Sequence, residues 1–289
     1  MKILNLLVLV VLCWSCNSGY REVAHKDGQK IYNIHYGPRD SQTMDVFIPK
    51  IISKKNAFAI IIHGGAWTLG DKANIRMTQK YLLKQGIPSA NINYRLANDE
   101  NRLDEQLIDI ASVIKMLDRD LAKYELKPKK YTLIGESSGG HIALLYGYAH
   151  PEQTSSIIAL FPPTNFSREK TGSLIAKLWV PVMHKVLGKG DKKSIDKALF
   201  EASPINSVTN VPTLIIQGTW DFIVDKSQAK DLDSVLTIKR VKHKLLLVEK
   251  GTHFMRLNPS TRNKVLYPEI LNWIENNGSQ LGNEHSVFE

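Results

Sequence analysis

Ser137, Asp221 and His253 are the residues of this chain whose types and surroundings could do chemistry together. Ser137 is the centre of Gly135-Glu136-Ser137-Ser138-Gly139, directly after the apolar run Tyr131-Thr132-Leu133-Ile134. A Gly-x-Ser-x-Gly that ends a strand and opens a helix is a nucleophile elbow, a turn tight enough to force its serine into strained geometry. The flanking glycines remove Cβ atoms that would collide there. The serine oxygen is then exposed at the end of a sheet. Asp221 follows a second apolar run, Pro212-Thr213-Leu214-Ile215-Ile216-Gln217, and the turn glycine Gly218. His253 follows a third, Lys244-Leu245-Leu246-Leu247-Val248-Glu249, in the loop Gly251-Thr252-His253-Phe254. Such a set performs acyl transfer in two steps. The serine attacks the acyl carbon, the histidine takes its proton and hands it to the leaving group, and the aspartate fixes the imidazole tautomer and stabilises its cation.

Each assignment has an ordinary competitor. Aspartate is common in turns after glycine, and Asp225 is the nearest rival for the acid, with Glu249 more distant. His63, His141, His150 and His243 compete with His253. His63 opens a Gly-Gly segment, His141 falls inside the helix after the elbow, and His243 precedes its strand. Only His253 sits just after a late strand in a glycine-containing loop.

These residues need a frame of strands whose ends converge. Ala57–Ile62 reads as a central parallel strand, a continuous apolar run bounded by turn signals. Lys30–His35 and Thr43–Ile48 read as an antiparallel edge, and Ser89–Tyr94, Tyr131–Ile134, Ser155–Phe161, Pro212–Gln217 and Lys244–Glu249 as the rest of the sheet. Helices are expected at Asn74–Gln85, Asn101–Leu126, Ser138–Ala149, Ser227–Leu236 and Thr261–Asn276. In the second of these, Leu103, Leu107, Ile110, Ile114 and Leu117 recur at helical spacing and form a stripe for core packing. The helix behind the elbow aims its N-terminus at the reaction centre, which favours developing negative charge. Residues 164–204 break the strand–helix rhythm and are expected to form a small cap over the pocket. There Leu178, Trp179, Val180, Val182 and Met183 either line the site or pack the cap against the body.

With these motifs in hand, the chain resembles the α/β-hydrolase superfamily, whose members carry the order Ser…Asp…His. More narrowly it is similar to the carboxylesterase branch with an HGG loop, which includes feruloyl and acetyl-xylan esterase-like proteins and kynurenine formamidase-like enzymes. The loop here is His63-Gly64-Gly65-Ala66-Trp67, directly after Ala57–Ile62. Further matches are Tyr36-Gly37 with Met44-Asp45-Val46-Phe47-Ile48-Pro49, Gly70-Asp71-Lys72 and Asn93-Tyr94-Arg95-Leu96. The resemblance covers residues 30–277. It implies an α/β fold with a mostly parallel sheet, helices on both faces and a cap insertion. It also implies an oxyanion hole made by backbone N–H groups of Gly64, Gly65 and Ser138. Trp67 and Trp220 are expected against the substrate. Two departures fall near the acid: Gln217 stands where histidine is frequent, and Asp225 where proline is frequent.

The expected activity is hydrolysis of carboxylic esters, short acetyl-type acyl groups first, without a cofactor or metal. An amide hydrolase using the same triad and a non-catalytic surface binding module are the two rivals. The substrate would be a small-molecule or glycan-linked ester; the sequence leaves the oligomeric state open. A net charge of +10 would suit an anionic partner, but the basic residues are scattered without an aromatic-interleaved stripe, which argues against nucleic acid. At 289 residues the chain suits one large domain, over 19–277, followed by a polar tail at 278–289. Residues 1–18 read as a signal peptide: Lys2, then the apolar stretch Ile3–Leu12, too short to span a bilayer. Cys16 within Ser15-Cys16-Asn17-Ser18 resembles a bacterial lipoprotein cleavage site, with plain secretory cleavage near Ser15 or Gly19 as the alternative. The expectation is therefore an exported, envelope-associated protein whose membrane contact is a lipid anchor on Cys16.

Overall fold

The computed structural model describes residues 20–53, 58–166 and 174–277, with side chains in the last stretch from Pro181 onward. Cys16, the leader and the tail at 278–289 lie outside the described residues, as do the side chains of Leu178, Trp179 and Val180. Nine strands form one sheet: β1 (Arg21–His25), β2 (Gly28–His35), β3 (Thr43–Pro49), β4 (Phe58–Ile62), β5 (Ser89–Ile92), β6 (Tyr131–Glu136), β7 (Thr154–Leu160), β8 (Thr213–Gly218) and β9 (His243–Val248). The spatial order is β1-β2-β3-β5-β4-β6-β7-β8-β9. The first four in that order pair antiparallel, and the remainder from β5 to β9 pair parallel. This is the α/β-hydrolase fold.

Alternation along each central strand divides the core in two. Phe58, Ile60 and Ile62 of β4 join one apolar cluster with α2 (Leu103–Asp120), α3 (Ser138–Ala149) and α6 (Lys226–Ile238). Ala59 and Ile61 join the other, with α1 (Arg76–Lys84) and the C-terminal helix Tyr267–Asn277. A strand covered on both faces must be apolar throughout, and β4 reads Phe-Ala-Ile-Ile-Ile. The crossover helices leave β4, β6, β8 and β9 ending on one edge of the sheet, where ligands bind in such folds.

Two elements differ from the sequence reading, and for Val182 and Met183 the structure takes the packing alternative. The strand β1 was not expected: all five of its residues are exposed, so it carries no apolar face and is held by pairing with β2. The long helix ends at Asp120 rather than Leu126. A 3₁₀ turn follows over Leu121–Tyr124, and Glu125 adopts a left-handed φ of 61° that an α-helix cannot continue through. In the insertion, α4 (Leu174–Leu187) and α5 (Lys192–Glu201) form, but Met183 and Val186 are buried in the larger core cluster, with Val182 packed against it. Val182, Met183 and Val186 fasten α4 to the body, whereas α5 has no buried residue.

Candidate active site

The elbow is built by β6 and α3. Ser137 has φ 52° and ψ −120°, a conformation costing about 1–3 kcal/mol for a residue with a Cβ. Its N–H donates to the Leu160 carbonyl at 2.9 Å, and its carbonyl accepts from His141 N at 3.0 Å, so both neighbours hold the turn. A side chain at Gly139 would strike the carbonyls of Ile62 and His63. Glycine there lets α3 pack onto the end of β4.

His253 Nε2 lies 3.0 Å from Ser137 Oγ, and His253 Nδ1 lies 2.8 Å from Asp221 Oδ2. The carboxylate accepts, so Nδ1 carries the proton and Nε2 offers its lone pair to the serine hydroxyl. Asp221 is itself tied down. Its Oδ1 accepts from Ile223 N and Val224 N, each at 2.9 Å, and its Oδ2 accepts from Gln217 Nε2 at 3.0 Å. Gln217 also donates to the Val224 carbonyl at 3.1 Å. The residue that departs from the resemblance thus takes a supporting position behind the acid. Asp225 serves elsewhere, capping α6 by accepting from Ser227 N, and Glu249 is exposed in a loop.

The other histidines are accounted for away from the serine. His63 stacks on Tyr94 at 4.4 Å, and burial holds its pKa below the usual imidazole value. His141 accepts at Nδ1 from Trp67 Nε1 at 3.1 Å and donates from Nε2 to the Ala202 carbonyl at 2.7 Å. An indole can only donate and a carbonyl can only accept, so this imidazole is neutral with its proton on Nε2. Burial lowers its pKa to about 4. His150 is exposed beside Glu152, and His243 contacts Asp233 and Thr237.

A cavity of about 380 Å³ opens over Ser137 and His253. Gly64, Gly65, Ala66, Leu69, Phe161, Ile223, Phe254 and Leu257 give it mostly apolar walls. A Cβ on Gly64 would stand 3.2 Å from the Ser137 Cβ, so glycine brings the loop backbone against the serine. Ser138 opens α3, where the first N–H groups have no acceptor within the helix. Glu136 and Arg256 also line the cavity and form a buried ion pair, while Arg256 Nη2 donates to the Asn74 carbonyl at 3.0 Å. Burial raises the Glu136 pKa, with Arg256 opposing. This pair joins the residue before Ser137 to the segment after His253. The sequence showed no period or motif that would have found it.

The two tryptophans are elsewhere, which corrects the expectation that they meet the substrate. Ala66 and Trp67 both adopt positive φ, 49° and 60°, and Trp67 is fully buried against His141 and Phe166, outside the cavity lining. Trp220 is 60% exposed, with Lys250 Nζ 5.8 Å from its ring centre, and lines no part of the cavity. Among the described residues no group of three or more His, Cys, Asp or Glu is placed to hold a metal ion, and no helix is long and apolar enough to cross a membrane.

Residues 44–236 match the model of the BD-FAE family. The "Probable isoprenylcysteine alpha-carbonyl methylesterase ICME" of Oryza sativa subsp. japonica is 25% identical over 244 residues, 78% of this chain and 58% of that protein. The non-reducing polyketide synthase ascC of Acremonium egyptiacum is 31% identical over 137 residues, which is 43% of this chain but 6% of the synthase. The chain therefore spans little of the synthase and just over half of the plant methylesterase. Among solved structures, a truncated carbohydrate esterase from gut microbiota superposes with a TM-score of 0.75 at 21% identity, covering 88% of this chain and 98% of that one.

Proposed function

The chain belongs to the BD-FAE family of α/β-hydrolase esterases, and from that premise we propose that it hydrolyses short acyl, acetyl-type esters carried on a carbohydrate or small alcohol. The observation that carries this reading is the hydrogen-bonded line Asp221–His253–Ser137 opening into an apolar cavity. Ser137 Oγ attacks the acyl carbon as His253 Nε2 takes its proton. The oxyanion of the tetrahedral intermediate is held by N–H groups of Gly64, Gly65 and Ser138, each such donor lowering the barrier by about 3–4 kcal/mol. His253 then protonates the leaving alcohol, and the acyl group remains on Ser137. Water, deprotonated by His253, releases the acid. The positive end of α3 adds to the same charge stabilisation. The small volume of the cavity and the carbohydrate esterase of like fold support the substrate class.

The test is hydrolysis of p-nitrophenyl acetate by residues 19–289 beside the Ser137→Ala variant. The expected result is a loss of at least about 10⁴-fold in the variant. Equal rates in both would overturn the assignment of Ser137. The protein is further read as exported and lipid-anchored, on the strength of the apolar Ile3–Leu12 and the setting of Cys16. Unchanged membrane partitioning of the full chain after Cys16→Ala would refute the anchor.

A further inference from the structure

A second cavity, about 660 Å³, lies between the β1–β2 hairpin, α1 and the C-terminal segment. It shares two walls with the first. Asn74, in the turn just before α1, and Arg256 line the Ser137 cavity, while Met77, Lys80, Tyr81 and Lys84 of α1, and Arg262 and Tyr267 farther along the C-terminal segment, line this one. Asn74 lies in the 3₁₀ turn Lys72–Ile75 that runs directly into α1, ten positions before Lys84.

Its charge is lopsided. Lys30, Lys80, Lys84 and Arg262 face it with one carboxylate, Asp27, which lies 3.4 Å from His25. Glu275 is within electrostatic reach of Tyr81 but is not part of the lining. None of the four cations is ion-paired among the described residues. Two of them are more than nine-tenths buried: Lys30 and Arg262 are each 8% exposed. Arg262 donates from Nε to Asn263 Oδ1 at 3.2 Å and from Nη1 to the Met77 sulfur at 3.7 Å, neither of which neutralises it. Burial, then repulsion from Lys80, holds the Lys30 ammonium below its usual pKa range, with Lys84 adding and Asp27 opposing. Buried charge without a counter-charge is costly, and a ligand that brings the counter-charge recovers that cost. The stacked pair Tyr81 and Tyr267, 4.3 Å apart, lends the same cavity aromatic surface.

We propose that this cavity is a binding site for an acidic oligosaccharide, whose carboxylates meet Lys30, Lys80, Lys84 and Arg262 and whose sugar rings lie against the Tyr81 side. The volume exceeds what one oxyanion needs, and the cations come from three separate segments, which suits a chain of charged sugars better than a lone phosphate. A glycan seated here can continue along α1 toward Ser137. That role in substrate choice rests on the carbohydrate-ester reading; the binding does not.

The experiment is calorimetric titration with trigalacturonate, with neutral xylotriose and inorganic phosphate as separate arms. Trigalacturonate should bind at least tenfold more tightly than either. The double change Lys80→Gln with Lys84→Gln, both at exposed positions, should weaken it at least tenfold and leave p-nitrophenyl acetate hydrolysis unchanged. Lys192→Gln with Lys193→Gln, on the far insertion, should leave binding intact. Equal binding of xylotriose, equal binding of phosphate, or an equal loss in the control variant each overturns the site. If trigalacturonate binds as described while no acetate ester is cleaved, the site stands and the esterase reading falls.

Discussion

His253 and His141 are two buried imidazoles on either side of one elbow, held in opposite electrical settings. His253 has a carboxylate on Nδ1 and a hydroxyl on Nε2, so it can gain a proton beside a waiting negative charge. His141 has an indole N–H on Nδ1 and a carbonyl on Nε2, so a second proton would point at a donor. Burial alone therefore does not decide what a histidine can do. The partner on the far nitrogen does. A carboxylate makes the ring a proton carrier; an N–H donor makes it a fixed strut, here tying the loop of Trp67 to the end of α5 through Ala202.

The sharpest way to break this contrast is Asp221→Asn, which gives His253 a neutral partner like that of His141. The fold should persist, because Ile223 N and Val224 N can still donate to the amide oxygen. Esterase kcat should fall about 10⁴-fold, as expected when the tautomer is no longer fixed. A loss under tenfold in steady-state kinetics would mean that the carboxylate is dispensable. Next in size is His141→Leu, which removes the acceptor of the Trp67 Nε1 bond and the donor of the bond to the Ala202 carbonyl. Stability at pH 7 should drop by about 2–4 kcal/mol in urea denaturation. The pH dependence should change as well. In the folded protein His141 stays neutral down to about 4, while an unfolded histidine titrates near 6.5. The unfolded chain therefore binds the extra proton in that window, and stability falls as pH drops through it, by roughly 3 kcal/mol below both values. The variant lacks this loss, so the gap between it and the parent should close toward pH 4. Parallel curves would refute the neutral assignment. The smallest effect belongs to Gln217→Ala, which removes one of the hydrogen bonds on Asp221 and leaves the two backbone donors. A decrease in kcat/KM of about tenfold or less is expected, on the order of 1 kcal/mol. A loss as deep as that of Asp221→Asn would make Gln217 an equal member of the group.

The line of three was legible because each member falls within a few residues of the end of an apolar strand, and strand ends converge in a parallel sheet. The frame was legible for the same reason: runs such as Phe58–Ile62 have no other stable place. The strand β1 was not, since exposed residues carry no apolar pattern, and its partner is chosen by backbone pairing. Trp67 misled because its position beside Gly64 and Gly65 says nothing about side-chain direction, and the indole packs inward against His141 and Phe166. Glu136 with Arg256, and the basic cavity beside α1, join residues that lie far apart in the chain. No spacing rule reaches across such gaps.

The hydrogen bond between Ser137 and His253 spans 116 positions of chain. β4, β6 and the elbow all precede β9 in the chain, so a chain stopped short of His253 carries Ser137 without the imidazole that lies against it. Closing so long a loop is also among the slower acts of folding. The proposed ester cleavage therefore needs both ends of that span in place, and its appearance would report that the chain has folded through His253.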